Sequence, residues 1–420
     1  MKRSLCITLV LSLLLSMPVI VTVPAEDQLT GTIRFALYTD TARDAVANAQ
    51  AERYMQEHPG VTIEVVTVPF ANYYTQLGQG IAAGDAWDVF MVNGANSGAL
   101  AKNNALLDLT DYMAERGFDS SLYIEDPMNS TYKDRWYVMP YELNTSAWVY
   151  NKDLFDAAGI PYPTEDWTWE DFRRIANALT DHEKGQFGAY LRLAQPDMIS
   201  FIYEAGGKLY SDDMKTIDFT SSEVAEALTF MNDLITVDHC CPNPSEVAAN
   251  ISPFATGKIA MASAMCFECI NFLSLEFNWG IVPWPSYRNK GGVYWTQGVS
   301  IYEDTKNKEL ALDFAFWLAS QEGQEIMGEV MGGAPSLVSA ANSTYVNNPK
   351  APDGMEYMIK EFAIGNAVAE PFTEKWGAIS GGGVSVVQSE LTLVRLGEKS
   401  LEEALITMTR DAQALLDEIE

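Results

Sequence analysis

The sequence predicts a two-lobed α/β architecture, with strand-like joints between the lobes. Three observations carry that expectation. The chain has 420 residues, too many for one core of ordinary size. Its first half alternates strand and helix patterns, the signature of a largely parallel sheet with helices on both faces. No Pro/Ser-rich spacer separates two halves, so the lobes are joined by elements of the fold itself.

The elements follow in order. Lys2 and Arg3 precede the apolar run "LCITLVLSLLLSMPVIVTV" and the small-residue ending Val23-Pro24-Ala25. A basic, then apolar, then small-residue order reads as an export leader over residues 1–25, cleaved after Ala25. The competing reading is an uncleaved anchor, since the run is long enough to span a bilayer. Cys6 opens the apolar run instead of following it, so it does not resemble a lipidation cysteine. "TIRFAL" is a strand, "TARDAVANAQAERYMQEH" a helix stopped by Pro59-Gly60, and "VTIEVVTV" a strand. "ANYYTQLGQGIAAG" is a helix and "DVFMV" a buried strand. In such sheets a ligand crevice lies beyond the carboxyl ends of the strands. That points to two loops: Tyr38-Thr39-Asp40 and Asn93-Gly94-Ala95-Asn96.

The stretch "YVMPYELNTSAWVYNKDLF" (137–155) mixes an extended run with rings and polar side chains. Glu142 and Asn144 sit among apolar neighbours, which fits a connection that lines a cavity. A second α/β region follows, through "TWEDFRRIANALT", "FGAYLRL", "SSEVAEALTFMNDLI", "FATGKIAMASAM" and "WGIVPWP". "GGVYWTQGVSIY" returns to extended structure, and "SLEEALITMTRDAQALLDEIE" is an amphipathic helix.

Composition excludes several functions. A formal charge of -30 argues against nucleic acid and anionic membranes, which need clustered Lys and Arg. The three histidines, His58, His182 and His239, form no His-Glu-x-x-His motif, and neither Gly-x-Ser-x-Gly nor a phosphate-binding Walker loop occurs. No pair stands out among the 57 acidic residues. "SGGGVS" (380–385) reads as a flexible loop before a helix or, alternatively, as an anion nest. In an exported chain the even set Cys240, Cys241, Cys266 and Cys269 predicts disulfides. A vicinal Cys240–Cys241 ring is strained, so two bridges between "HCCP" and "CFEC" are expected. A zinc site of four thiolates beside His239 is the alternative.

Ten tryptophans and nineteen tyrosines are the better clue. Sugar rings present apolar C–H faces and polar edges, so their sites combine flat rings with amides and carboxylates. Tyr38, Tyr141, Phe267, Trp295 and Trp376 lie near loops and fit, although each taken alone fits a core as well. Trp87, Trp148 and Trp317 lie in or beside regular elements and belong to the core.

Several segments carry a family resemblance over essentially the whole chain after the leader: "HPGVTIEVV", "GDAWDVFMVNG", "DRWYVMPYELNTSAWVYNKDLFDAAGIPYPTEDWTWEDF", "FATGKIAMASAM", "GIVPWP" and "TKNKELALDFAFWLASQEGQ". In combination they resemble the extracellular solute-binding proteins of family 1, sugar-binding subunits of ABC importers related to maltose-binding protein. The resemblance implies a type II-like periplasmic-binding-protein fold, each lobe a sheet flanked by helices, with a ligand cleft between hinged lobes. It assigns residues 26–142 and 298–340 to an N-lobe, and 143–297 and 341–420 to a C-lobe. It implies a monomer that binds a carbohydrate, docks on a membrane permease, and needs no cofactor or metal. It implies ligand contacts at Asn93, Asn96, Tyr141, Asn144, Phe267, Trp295, Gln297 and Trp376, and the loop after the first strand adds Tyr38 and Asp40 as candidates. Two departures bear on the sugar: Asn144 stands where maltose-binding relatives carry glutamate, and "AMCFEC" replaces the common Gly-x-Trp ending. The alternatives are the same fold holding a polyamine, phosphorylated polyol or metal chelate, or a secreted carbohydrate-active enzyme with two facing carboxylates.

Overall fold

The computed structural model describes residues 29–419 apart from 40, 125–129, 193–195, 244–245, 248–251, 364–367, 370–372, 374 and 381–383. The expected leader, Asp40 and the glycines of the 380–385 run therefore lie outside the described residues.

The chain opens as the alternating pattern requires: β1 (Gly31–Tyr38), α1 (Thr41–Glu57), β2 (Val61–Val68), α2 (Phe70–Ala83), β3 (Val89–Asn93) and α3 (Gly94–Lys102). β1 pairs in parallel with both β2 and β3. α2 stops where Gly84 takes a left-handed conformation (φ 68°), which glycine adopts without steric cost. β4 (Thr131–Tyr132) and β5 (Arg135–Trp136) form a hairpin whose turn residues, Lys133 and Asp134, both have positive φ.

β6 (Met139–Asn151) is buried along its whole length and serves two sheets. The remaining strands are β7 (Met261–Met265), β8 (Trp279–Val282), β9 (Val293–Ile301), β10 (Ala334–Pro335) and β11 (Val368–Ala369). From Met139 to Thr145, β6 pairs antiparallel with β9, and from Ser146 onward with β7 and β8. β9 in turn pairs with β11 at its start and antiparallel with β3 from Gln297 to Ile301. The main path through the sheet is β10-β6-β9-β3-β1-β2. The apolar side chains sort the same way. One core gathers around Phe35, Tyr54 and Phe314, and a second around Trp148, Phe172, Phe201 and Trp284. A third, around Phe254, Phe272 and Tyr345, includes Leu143. Among the described residues no helix is long and apolar enough to cross a membrane.

Candidate functional site

β6 and β9 pass side by side where the sheets change partners, and their register sets what faces the joint. Directly opposed residues of an antiparallel pair share a face. Glu142 lies opposite Gln297 and Asn144 opposite Trp295, while Gln297 also lies opposite Asn93 of β3. One face of the joint thus carries a polar row. Asn144 is 0% exposed, and neither its Nδ2 nor its Oδ1 has a hydrogen-bond partner. The Oε1 of neighbouring Gln297 lacks one too. Other described residues have single orphaned atoms, but Asn144 alone lacks partners on both. A buried amide without partners costs about 1–3 kcal/mol, so this pair carries an unmet hydrogen-bonding demand. Beside it, Asn96 Nδ2 donates to Asn93 Oδ1 at 2.7 Å, and the Asn93 backbone N–H donates to the Tyr74 hydroxyl at 3.1 Å. Burial pushes the Tyr74 hydroxyl well above its ordinary pKa.

The walls come from both lobes. Tyr38 ends β1 and packs edge-on against Phe70 and Tyr73. Arg43, in the first turn of α1, donates from Nε to Glu142 Oε2 at 2.9 Å and from Nη2 to Oε1 at 2.7 Å. Its guanidinium carbon lies 5.1 Å from the Tyr38 ring centre and 5.3 Å from that of Phe267. Phe267 sits on the tight turn Cys266–Glu268 directly after β7. That turn is pinned from behind. Glu268 Oε2 accepts from the Met265 N–H at 2.8 Å, and Arg192 Nη2 donates to both Glu268 oxygens. Asp197 accepts from the Arg192 backbone N–H and from the Ser263 hydroxyl. Burial raises the Asp197 carboxyl to about 6, against the pull of Arg192.

Beyond the joint lies a cavity of about 710 Å³. Gly94, Ala95 and Lys102 of α3, with Tyr132 of β4, line one side, and Met214, Lys215, Thr373 and Leu416 line the other. It opens at the start of α3, one residue after Asn93.

The residues expected to face a ligand separate into two groups. Tyr38, Asn93, Asn96, Asn144, Phe267, Trp295 and Gln297 come together around the joint. Tyr141 and Trp376 do not. Tyr141 is the extra residue at the register shift between Pro140 and Glu142 and turns into the first core. There it stands edge-on to Phe35 and donates its hydroxyl to Gln50 Oε1 at 2.7 Å. Trp376 heads the short helix Trp376–Ser380 and is 2% exposed, packed near Tyr210 in the second core. In both cases an aromatic residue near a loop has gone to the nearest apolar layer, the usual fate of a large ring.

The expected disulfides are not formed. All four cysteines are buried free thiols. Cys240 and Cys241 belong to the second core and Cys266 and Cys269 to the third, so "HCCP" and "CFEC" pack into different layers. The Cys266 thiol donates to the Leu143 carbonyl at 3.2 Å and that of Cys240 to the Leu234 carbonyl at 3.4 Å. Burial pushes the Cys266 thiol up to about 12, which keeps it protonated and unreactive. Among the described residues no group of His, Cys, Asp and Glu could hold a metal ion. Sequence reasoning missed Arg43, which lies in an ordinary helical pattern and becomes notable only beside Glu142.

Two α/β lobes, two strands shared between them, a polar row at the joint and a cavity alongside define a two-lobed ligand-binding protein. The profile described as bacterial extracellular solute-binding protein matches residues 38–325, and the chain belongs to that family. It is 24% identical over 353 residues to a maltotriose-binding protein of Pyrococcus abyssi, covering 80% of this chain and 72% of the relative. It is 25% identical to an uncharacterized lipoprotein of Streptomyces antibioticus over 62% of this chain, and spans only 60% of that relative's length. Among solved structures, the ABC substrate-binding protein Lmo0181 of Listeria monocytogenes, in complex with cycloalternan, superposes with a TM-score of 0.82 at 25% identity. That match covers 92% of this chain and 99% of the other. The acarbose-binding GacH receptor of Streptomyces glaucescens has the same fold, with a TM-score of 0.78 at 22% identity over 93% and 100% of the two chains.

Proposed function

We propose that this chain is the carbohydrate-binding receptor of an ABC transporter. It is exported by its leader to the periplasm, holds a sugar or oligosaccharide between its lobes as a monomer, delivers it to a membrane permease, and catalyses nothing. The observation that carries this reading is the charge balance of the joint. Its ionised pair, Arg43 and Glu142, is mutually neutralised, and what remains for a ligand is the neutral amides of Asn144 and Gln297 beside Trp295. Neutral hydroxyls, each both donor and acceptor, match amides that offer both. At the joint a polyamine would need a free carboxylate and a phosphorylated polyol a free cation, and the cavity walls carry charges of both signs, Lys102 and Lys215 with Asp213 and Asp417. The printed names of the relatives, a maltotriose-binding and a galactooligosaccharide-binding protein among them, support the same class. The reading carries a lobe division of 26–142 with 298–340 and 143–297 with 341–420, and the partner change of β6 after Thr145 supports it to within a few residues.

A thermal-shift screen of the exported protein tests the proposal, with maltotriose, galacto-oligosaccharides and mannitol set against spermidine and sorbitol 6-phosphate. A ligand at 100-fold its Kd adds about 2.7 kcal/mol to stability, which is a clear upward shift. Stabilisation by neutral sugars alone is expected. Stabilisation confined to spermidine or the phosphorylated polyol would overturn it.

A further inference from the structure

Arg43 lies where three elements meet, and its contact with Phe267 crosses between lobes. α1 packs in the first core with β1 and β2, and Glu142 lies in the half of β6 that pairs with β9. Tyr38 ends β1. These three therefore move as one body. Phe267 follows β7, which pairs with the other half of β6, so it moves with the C-lobe. We infer that Arg43 is a cross-lobe clamp, a positioning residue whose contact with the Phe267 ring holds the lobes together before any ligand arrives. The inference rests on the hinge motion in the reading above.

The chemistry suits a guanidinium. Its edge donates twice to the Glu142 carboxylate while its faces meet rings, a division of labour that a lysine ammonium cannot reproduce. Tyr38 and Phe267 both approach it within cation–π range. Because Arg43 is 8% and Glu142 1% exposed, the cation is largely stripped of water, the condition under which such contacts are strongest. The approach of α1 is fixed by glycine. A Cβ at Gly332 would lie 2.5 Å from Val46 Cγ2 and 2.6 Å from the Ala42 carbonyl oxygen. Opening the lobes about β6 and β9 must break the contact with Phe267 while leaving the Glu142 and Tyr38 contacts in place. Phe267 is thus the releasable jaw.

Small-angle X-ray scattering of the ligand-free protein reads this directly. A compact chain of 420 residues has a radius of gyration of about 22 Å. Phe267→Leu leaves the ion pair intact and is expected to raise the radius and broaden the distance distribution. Phe267→Tyr, which restores a ring face, is expected to match the parent. The paired change Arg43→Met with Glu142→Gln removes both charges without stranding either, and is expected to open the lobes to the same extent. Adding Phe267→Leu to that pair is expected to open them no further. A folded Phe267→Leu protein whose scattering superposes on the parent's would overturn the clamp, whatever becomes of the charge variants. A clamp that fails while sugars still stabilise the protein leaves the receptor reading intact, and the reverse result separates them equally well.

Discussion

Asn144→Leu separates ligand binding from folding at the joint. In the free protein the Asn144 carboxamide is fully buried with no partner on either polar atom. Leaving a buried polar group unsatisfied costs about 1–3 kcal/mol, and leucine keeps the same branched heavy-atom skeleton, slightly bulkier in its two methyl groups, with no polar atom to desolvate. The substitution should therefore stabilise the free protein by about 1–3 kcal/mol. At roughly 2–4 °C per kcal/mol for units of 150–250 residues, melting should rise by several degrees. Binding should move the other way. If the amide makes two neutral hydrogen bonds to the ligand, their loss at about 0.5–1.5 kcal/mol each lowers affinity roughly 5- to 150-fold. Thermal melting of the free variant and calorimetric titration with the sugar that stabilises the parent read the two effects. A lower melting temperature with unchanged affinity would refute the reasoning, because it would mean that the amide is already satisfied and structural.

Two further predictions follow from the surrounding residues. Trp376→Ala should cost about 3–5 kcal/mol of stability, as large aromatic truncations in cores do, and leave sugar affinity of the folded fraction nearly unchanged; a stable variant that no longer binds sugar would return Trp376 to the cleft. Asp197 has its folded-state carboxyl raised from 3.8 to about 6, so its protonation favours the folded chain. Its contribution grows as pH falls through about 6 and is complete below the unfolded value, with about two pKa units corresponding to about 3 kcal/mol. The melting temperature of the parent relative to Asp197→Asn should accordingly rise between pH 7.5 and 5, and a flat difference would show that Asp197 is not held protonated by burial.

Local patterning made the alternating first lobe legible, because each strand and helix there follows its own period and stop signals. It also marked β6, since Glu142 and Asn144 cannot sit among apolar residues without partners or a cavity. What sequence could not supply was face and depth. Tyr141 and Glu142 are neighbours in the chain, and only strand alternation with the register shift sends the ring into the core and the carboxylate toward Arg43. Trp376 looked like a cleft residue because it is near a loop, yet burial depends on the layer it meets, which lies far away in sequence. Cysteine parity suggested bridges for the same reason: number and spacing say nothing about which core each thiol enters. Arg43 had no signal at all, since its importance comes from Glu142 and Phe267, 99 and 224 residues further along.

In the proposed receptor, the placement of the polar row constrains how binding can drive closure. When two bodies turn about a hinge, atoms move in proportion to their distance from the axis. Asn144, Gln297 and Trp295 lie on β6 and β9, the strands that would carry the turn, so they would keep nearly the same relation to a ligand whether the lobes are open or closed. Groups that meet a ligand equally in both states raise affinity without shifting the equilibrium, because a ligand moves a population only by its differential affinity for the two states. The closing force must therefore come from residues far from the axis, such as Lys102 and Tyr132 on one wall of the cavity and Met214 and Lys215 on the other. Arg43 and Phe267 lie nearer the joint, but unlike the polar row they sit on opposite lobes. Their contact supplies part of that force without ligand, so the two walls need add only the remainder.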